Sequence, residues 1–477
     1  MIFSFDPMRV RGDALSREER DDLAALLRIY AAHRDKNGEK ERYYEGRISL
    51  RSVNLGIALP EGMAGLEIGC AWGAKTVDVL AARSIFDGYV AENGGELPQL
   101  DRIVRGNRLI AEYFKASRDE LKFGTTFATL SSDPEIGCKI RWHSPMTAAA
   151  RWSGEKGRIA SGFAIIDTVP DETEESFWTP TVINYYTDEA IIVLKKQGAD
   201  WAAERHPHRM GRPLMEPMIW NATSNKPFGR SRIKEPIRRL IDGYVRTLAN
   251  ASIGLEFATS PQKYLLGITD QQYDAVTSQK FRQYVGSIIA GTTNPETGEK
   301  PSFGQLSQGS ISPHVEMLRI LATQFSAATG LTVTDTGVVS EANPTSSDAI
   351  LAQSQTLVRL AEELNTGNGE SLRSIALMAM AVAKECTVEE LSEEEKAVVA
   401  HFRNPAMPSV AVTADAAIKI ASAREGFGST DTFLEMIGFS QADIRRIKAQ
   451  ESRTRGLSLL NTLEEENGEV TETGETA

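Results

Sequence analysis

Cysteine is scarce. Cys70, Cys138 and Cys386 are the only three in 477 residues, far apart and in no C-x-x-C spacing. That excludes a disulfide scaffold and a thiolate zinc site, and leaves reduced, buried thiols as the reading. Long apolar runs are missing too. No stretch of about 18 apolar residues occurs, and MIFSFDPMRVRGDALSREERDD at the start has no h-region. The expectation is a soluble chain that stays in the cytoplasm where it is made, with no membrane partner. Basic charge is in deficit, 53 Lys and Arg against 65 Asp and Glu, for a net charge of -12. A protein that grips nucleic acid by neutralising phosphates should be basic, so tight non-specific DNA binding is disfavoured. Histidine is sparse: only His206 and His208 of the six lie close together, with no H-E-x-x-H pattern, so no metal site is expected. There is no G-x-S-x-G turn for nucleophilic catalysis.

What is present is an ordinary globular mixture, 41% apolar and 25% charged. The length corresponds to several modules of about 100–150 residues. Residues 15–34 read as an amphipathic helix with Leu23, Leu26, Leu27 and Tyr30 on one face. Residues 120–222 are strand-rich, with two β runs (Ile183 to Tyr186 and Ala190 to Leu194) around the turn Thr187-Asp188-Glu189. Residues 261–313 are rich in glycine and proline turns around short apolar runs, which reads as a small module. Helices are expected over 314–329, 346–385 and 413–455, the second broken at Asn365-Thr366-Gly367-Asn368-Gly369. The tail after Leu463 holds six acidic residues and no basic one, half the net charge, and reads as a disordered end.

The string Leu66-Glu67-Ile68-Gly69-Cys70-Ala71-Trp72-Gly73-Ala74-Lys75-Thr76 resembles two enzyme motifs. As a strand ending in a Gly-x-x-x-Gly turn it looks like the first motif of S-adenosylmethionine methyltransferases. From Gly69 it is a near-miss of the phosphate loop, with Ala74 where a glycine must let backbone approach phosphate. The plainer reading is a turn into a helix, because Val77, Leu80 and Ala81 recur at helical spacing and no strand–helix alternation follows. No enzyme activity and no cofactor are expected, with a nucleotide-dependent enzyme or a methyltransferase as the alternatives.

After Ser231 a helix places Ile233, Ile237, Leu240, Ile241, Tyr244 and Leu248 in one arc, with Arg232, Arg239 and Arg246 nearly opposite. Pro236 fits best in a first turn, so the regular helix can begin near Glu235 and exclude Arg232. The connection from Leu331 to Pro344 carries no basic residue and precedes a capping pattern, Thr345-Ser346-Ser347-Asp348.

Taken in order, several pieces resemble the large portal protein family of tailed bacteriophages, typical of phages of Gram-positive hosts. They are Tyr43-Tyr44-Glu45-Gly46, Gly73 to Arg83, His208 to Pro217, Pro227-Phe228-Gly229-Arg230-Ser231-Arg232-Ile233 and Pro261 to Gly267. Asn343 to Ala349, Thr413 to Lys419 and Leu434 to Ser440 complete the series, which covers roughly residues 40–450.

The resemblance implies an α+β ring subunit: a mixed α/β wing, a two-helix stem, a small α/β clip and a helical crown. It divides the chain into wing 1–225, first stem helix 226–260, clip 261–313, second stem helix 314–330 and tunnel loop 331–345. The wing's long helix and return follow at 346–404, the crown at 405–455 and the acidic tail at 456–477. It further implies a homo-oligomeric ring of about twelve subunits at one capsid vertex of the virion, passing double-stranded DNA without holding it. The terminase large subunit, head-completion or adaptor proteins, and the major capsid and scaffold proteins are the implied partners. Val333, Thr334, Asp335, Thr336, Val338, Val339, Ser340 and Glu341 would then form the channel constriction. Arg232, Arg239 and Arg246 would face the channel or a neighbouring subunit, and Tyr264, Tyr273, Phe281, Tyr284 and Phe303 would serve docking at the clip.

Overall fold

Ser16 opens the first long helix with a reciprocal capping box: its Oγ accepts from the Glu19 N–H at 3.2 Å, and Glu19 Oε2 accepts from the Ser16 N–H at 2.8 Å. The structure, a computed structural model, describes residues 5–11, 14–49, 67–92, 95, 97–170, 178–259, 263–266, 293, 298, 300, 302–305, 310–337, 347–406, 410–424 and 426–472.

In chain order, β1 (Val10–Arg11) leads to α1 (Arg17–Tyr44), then β2 (Arg47–Ser49), β3 (Glu67–Gly69), α2 (Trp72–Ala81) and β4 (Phe86–Ala91). Helices α3 (Pro98–Gly106) and α4 (Leu109–Phe123) precede β5 (Thr125–Asp133), β6 (Gly137–His143), β7 (Ala148–Ser153) and β8 (Arg158–Pro170). Strands β9 (Trp178–Tyr186), β10 (Ala190–Gln197), β11 (Asp200–Pro207) and β12 (Met215–Ile219) complete that region. After them come α5 (Glu235–Thr259), β13 (Lys263–Leu266), β14 (Ser302–Gln305), α6 (Ser312–Thr329) and α7 (Ser347–Lys384). Strand β15 (Val398–Phe402) is followed by α8 (Val410–Ala423), α9 (Asp431–Ile437) and α10 (Gln441–Glu472). The class is α+β, as the sequence implies.

The chain forms two units, and each draws on separate stretches of sequence. The first comprises Met1–Glu41, Thr76–Ile233 and Pro344–Ala477. Its main sheet has the order β1-β11-β10-β9-β8-β7, antiparallel except for β1 beside β11, and a second sheet has the order β12-β5-β6. Alternation along the strands sorts side chains to the two faces of the main sheet. Phe163, Ile165, Tyr185 and Ile192 join Leu23, Leu26 and Tyr30 of α1 in one core. Their neighbours Ala164, Tyr186 and Ile191 enter the larger core with β5, β6, β12, α3, α4 and α7. Strands β4 and β15 pair as a ribbon, and Phe86, Tyr89 and Val398 carry it into that larger core.

The 38-residue α7 is continuous, which corrects the expected break at Asn365 to Gly369. Its buried stripe runs Leu357, Ala361, Leu364, Asn368, Leu372, Ile375 straight through the turn-like pentapeptide. A second correction concerns the C-terminus. Helix α10 runs on to Glu472, so the segment after Leu463 is helical to that point rather than disordered. Glutamate is a good helix former, and the segment extends a helix already nucleated.

The second unit comprises Arg42–Lys75 and Lys234–Asn343. It contains the antiparallel β2–β3 ribbon, α5 packed along α6, and the antiparallel β13–β14 ribbon. Among the described residues no helix is long and apolar enough to cross a membrane.

Candidate channel elements

Helix α5 begins at Glu235 with Pro236 in its first turn, where a missing N–H costs nothing. Ile237, Ile241, Val245 and Ala249 form its buried stripe at four-residue steps, facing α6 with Leu321, Ala322 and Phe325. Arg239 and Arg246 are exposed, on the side away from that stripe. Arg239 is held by Glu235 one turn earlier, Nη2 to Oε1 at 2.7 Å, and the pair keeps the carboxyl below and the guanidinium above their usual ranges.

Arg232 does not belong to this stripe. It lies before the helix and is 7% exposed. Its Nε donates to the Thr76 carbonyl at 2.7 Å and its guanidinium lies 5.8 Å from the Trp220 ring. Its backbone N–H donates to Leu121 O at 2.8 Å, while the Ser231 Oγ donates to the Lys122 carbonyl. Burial pulls Arg232 down to about 10, still a cation at neutral pH. The placement of Arg232 in a channel or at a subunit contact is therefore corrected: it ties the segment before α5 to α2 and the end of α4. Gly229 in the same segment has φ +68°, and a Cβ there would lie 2.1 Å from the Trp220 carbonyl oxygen. Only glycine fits both conditions.

The enzyme-like string has a structural use. Strand β3 pairs antiparallel with β2 in a two-stranded ribbon, not in the parallel sheet that a phosphate loop or a methyltransferase motif requires. Trp72, the first residue of α2, stacks on Phe325 of α6 at 4.5 Å and packs against Tyr244 of α5 at 4.2 Å. Its Nε1 donates to the Thr336 carbonyl at 3.2 Å. One indole thus touches both long helices and the turn that follows them. Gly73 lets the backbone pass Tyr43, whose carbonyl oxygen would be 2.0 Å from an added Cβ. Nearby, Tyr43 donates to Asp242 Oδ1 at 2.7 Å.

Leu331 to Gly337 form a closed turn. Thr334–Thr336 is one 3-10 turn, and Asp335 Oδ2 accepts from the Thr332 N–H at 3.0 Å and its hydroxyl at 2.8 Å. Thr334 is exposed and Val333 half-buried, whereas Thr336 is buried. That burial removes Thr336 from the candidate channel surface, because Trp72 holds its carbonyl inward. Val338, Val339, Ser340 and Glu341 lie outside the described residues. So do Tyr273, Phe281 and Tyr284, while Tyr264 and Phe303 sit on the paired strands β13 and β14.

Other singled-out residues take plain roles. Cys70 and Cys138 are buried free thiols, and burial pushes them up to about 11 and about 12. His206 lies 3.3 Å from Glu204, and His208 Nδ1 accepts from the Met210 N–H at 3.4 Å. No cluster of metal-ligating side chains occurs among the described residues.

Sequence reasoning missed a buried polar hub in the first unit. Asn368 Nδ2 donates to Tyr113 Oη at 3.1 Å and Glu120 Oε2 at 2.8 Å, and Ser84 Oγ joins Tyr113 Oη to Asn365 Oδ1 at 2.6 Å each. Burial pushes Glu120 up to about 8, so the acid is neutral at pH 7. The spacing of Asn365 and Asn368 within an otherwise apolar stripe was the available signal.

The portal-like series of segments in the sequence is matched by a similarity to one phage portal protein that spans most of the chain. The chain is 24% identical to the portal protein of Mycobacterium phage D29 over 464 residues, 93% of this chain and 92% of that one. No family model matches. Among solved structures the chain is similar to one from the virion of a native gene transfer agent particle, at TM-score 0.44 and 13% identity over 77% of this chain and 89% of that one. A chain from the neck of a native particle of the same kind gives TM-score 0.44 and 14% identity over 83% and 98%.

Proposed function

We propose that this chain is the subunit of a portal ring, a structural protein at one capsid vertex through which double-stranded DNA is packaged and later ejected. The observation that carries the reading is the similarity to a portal protein across more than nine-tenths of both chains. The charge supports it: each phosphate gripped by Lys or Arg adds salt-sensitive affinity that would stall a moving duplex. This chain is acidic overall, and Arg239, exposed on α5, is paired with Glu235. In this reading α5 and α6 are the stem, Val333 and Thr334 approach the constriction, and the β13–β14 ribbon belongs to the clip that docks the terminase and later the head-completion proteins. About twelve subunits would close the ring.

Electron microscopy of the purified protein, with solution mass measured on the same sample, tests this. Twelve copies of 52.3 kDa give roughly 628 kDa, and the expected particle is a ring with a hole wide enough for duplex DNA. A monomer that turns over ATP, and loses that turnover on Lys75→Ala, would overturn it.

A further inference from the structure

The body of the first unit and its C-terminal helices are joined in different ways. The larger core of that unit extends to Phe402 of β15 and includes no residue beyond it, and neither does the core under α1. Helices α9 and α10 meet the β4–β15 ribbon through polar groups instead. Asp87 of β4, with a side chain only 11% exposed, accepts from Arg403 Nη2 at 3.1 Å and from the Gln441 backbone N–H at 3.0 Å. That N–H belongs to the first turn of α10, where the positive end of the helix favours a carboxylate. One turn on, Arg445 reaches Asp101 Oδ2 at 2.8 Å and the Tyr89 carbonyl at 3.4 Å. His401 Nε2 of β15 lies 3.4 Å from Glu435 Oε1 of α9, which also accepts from Gln441 Nε2. Within α9 and the first turns of α10, Ile444 is the one fully buried apolar side chain among the described residues, and Phe433, Leu434, Met436, Ile437 and Ile447 are half-buried. The two helices are tied to each other by Lys448 and Asp431.

We propose that these contacts are a charge latch: the segment from α9 into the start of α10, Asp431 to Lys448, docks on the β4–β15 ribbon and leaves it as one piece under the control of ionic strength. Apolar burial is not weakened by simple salt, whereas half-exposed ion pairs are screened as the Debye length falls from about 10 Å at 0.1 M to about 3 Å at 1 M. A segment that meets the body through Ile444, the Arg445–Asp101 ion pair, Asp87 at the start of α10 and Glu435 beside His401 therefore loosens more than the body, which is built on two apolar cores. Asp87 is the centre of the latch, because it alone bridges the ribbon's Arg403 and the start of α10. The latch does not depend on the portal reading.

Hydrogen exchange on the full chain in its native oligomeric state, at 0.1 M and 1 M NaCl, tests it. Amides of Asp431 to Lys448 should exchange roughly threefold faster at the higher salt, the scale of one screened ion pair and one carboxylate at a helix start. Those of α7 and β4 should not change. Asp87→Asn, nearly the same shape without the charge, should give most of the acceleration at 0.1 M and leave only the salt response that Arg445 and Asp101 carry. Asp101→Asn should give a smaller part of it, which keeps the test open if the first variant folds poorly. Lys195→Gln, which removes an exposed ion pair with Glu204 elsewhere, should do nothing. Exchange in the segment that ignores both salt and Asp101→Asn would overturn the latch, and so would an equal acceleration in α7.

Discussion

Trp72 and Glu120 are single residues whose surroundings, not their types, decide what they do. Trp72 sits in a string that looks chemical, yet its ring is 4% exposed and clasped between Tyr244 and Phe325. Trp72→Ala should cost about 3–5 kcal/mol, as aromatic truncations in packed cores do. Trp72→Phe keeps a ring but leaves the Thr336 carbonyl without its indole donor, at about 1 kcal/mol for the lost bond. Urea unfolding of the two variants reads the difference. Glu120 is a carboxyl in an uncharged hub, pushed up from 4.5 to about 8 by burial. Its folded-state value lies above its unfolded one, so the native state binds the proton more tightly. The hub's contribution is complete below about pH 4.5 and is lost as pH rises through about 8. Glu120→Gln should match the parent in thermal stability near pH 5 and exceed it near pH 8.5. Parallel curves for the two proteins across that range would count against the assignment.

At the scale of elements, α7 shows tertiary contacts overruling local preference. Asn and Gly are poor helix residues, and five in a row that include two of each read as a stop. The helix continues because Asn368 and Asn365 bond into the hub, and Thr366 Oγ1 bonds back to the Glu362 carbonyl at 2.8 Å. Gly367 is exposed and has open space where a Cβ would go. Gly367→Ala should therefore stabilise the chain by about 0.5–1 kcal/mol, visible as a higher urea midpoint with an unchanged slope. Loss of stability would mean that the glycine is used for something else, such as contact with a second molecule. Helix α5 gives the opposite lesson. Pro236 marked its start correctly, and the residues before it have a packing role instead.

For the molecule as a whole, the proposal rests on a channel that must conduct a polyanion without retaining it. Arg239 and Arg246 are the exposed cations of α5, and replacing both with Glu should lower the amount of DNA packaged in an assembly assay. Ring formation and thermal stability should be retained, because neither side chain enters a core and an exposed, solvent-screened ion pair adds little to stability. Normal packaging by that double variant would remove the two arginines from the channel. Arg232 makes the contrast. Reversing its charge should damage folding itself, since it is buried against the Thr76 carbonyl and the Trp220 ring.

Periodicity, proline and charge were enough to determine much of this protein from its sequence. The apolar arcs in α1 and α5, the helix at α6, the β9–β10 hairpin around Thr187 to Glu189, the acidic balance and the ordered series of family-like segments were all legible, because each is a local pattern or a count. Tertiary structure decided what local patterns do not contain. It put β3 in an antiparallel ribbon, turning a phosphate-loop look-alike into the seat of an aromatic anchor. It buried Arg232 and Thr336, carried α7 through a pentapeptide that reads as a turn, and set Asp87 against a helix start 354 residues away. In each case the deciding partner is remote in sequence, and burial and pairing with that partner outweigh the preferences a short window can express.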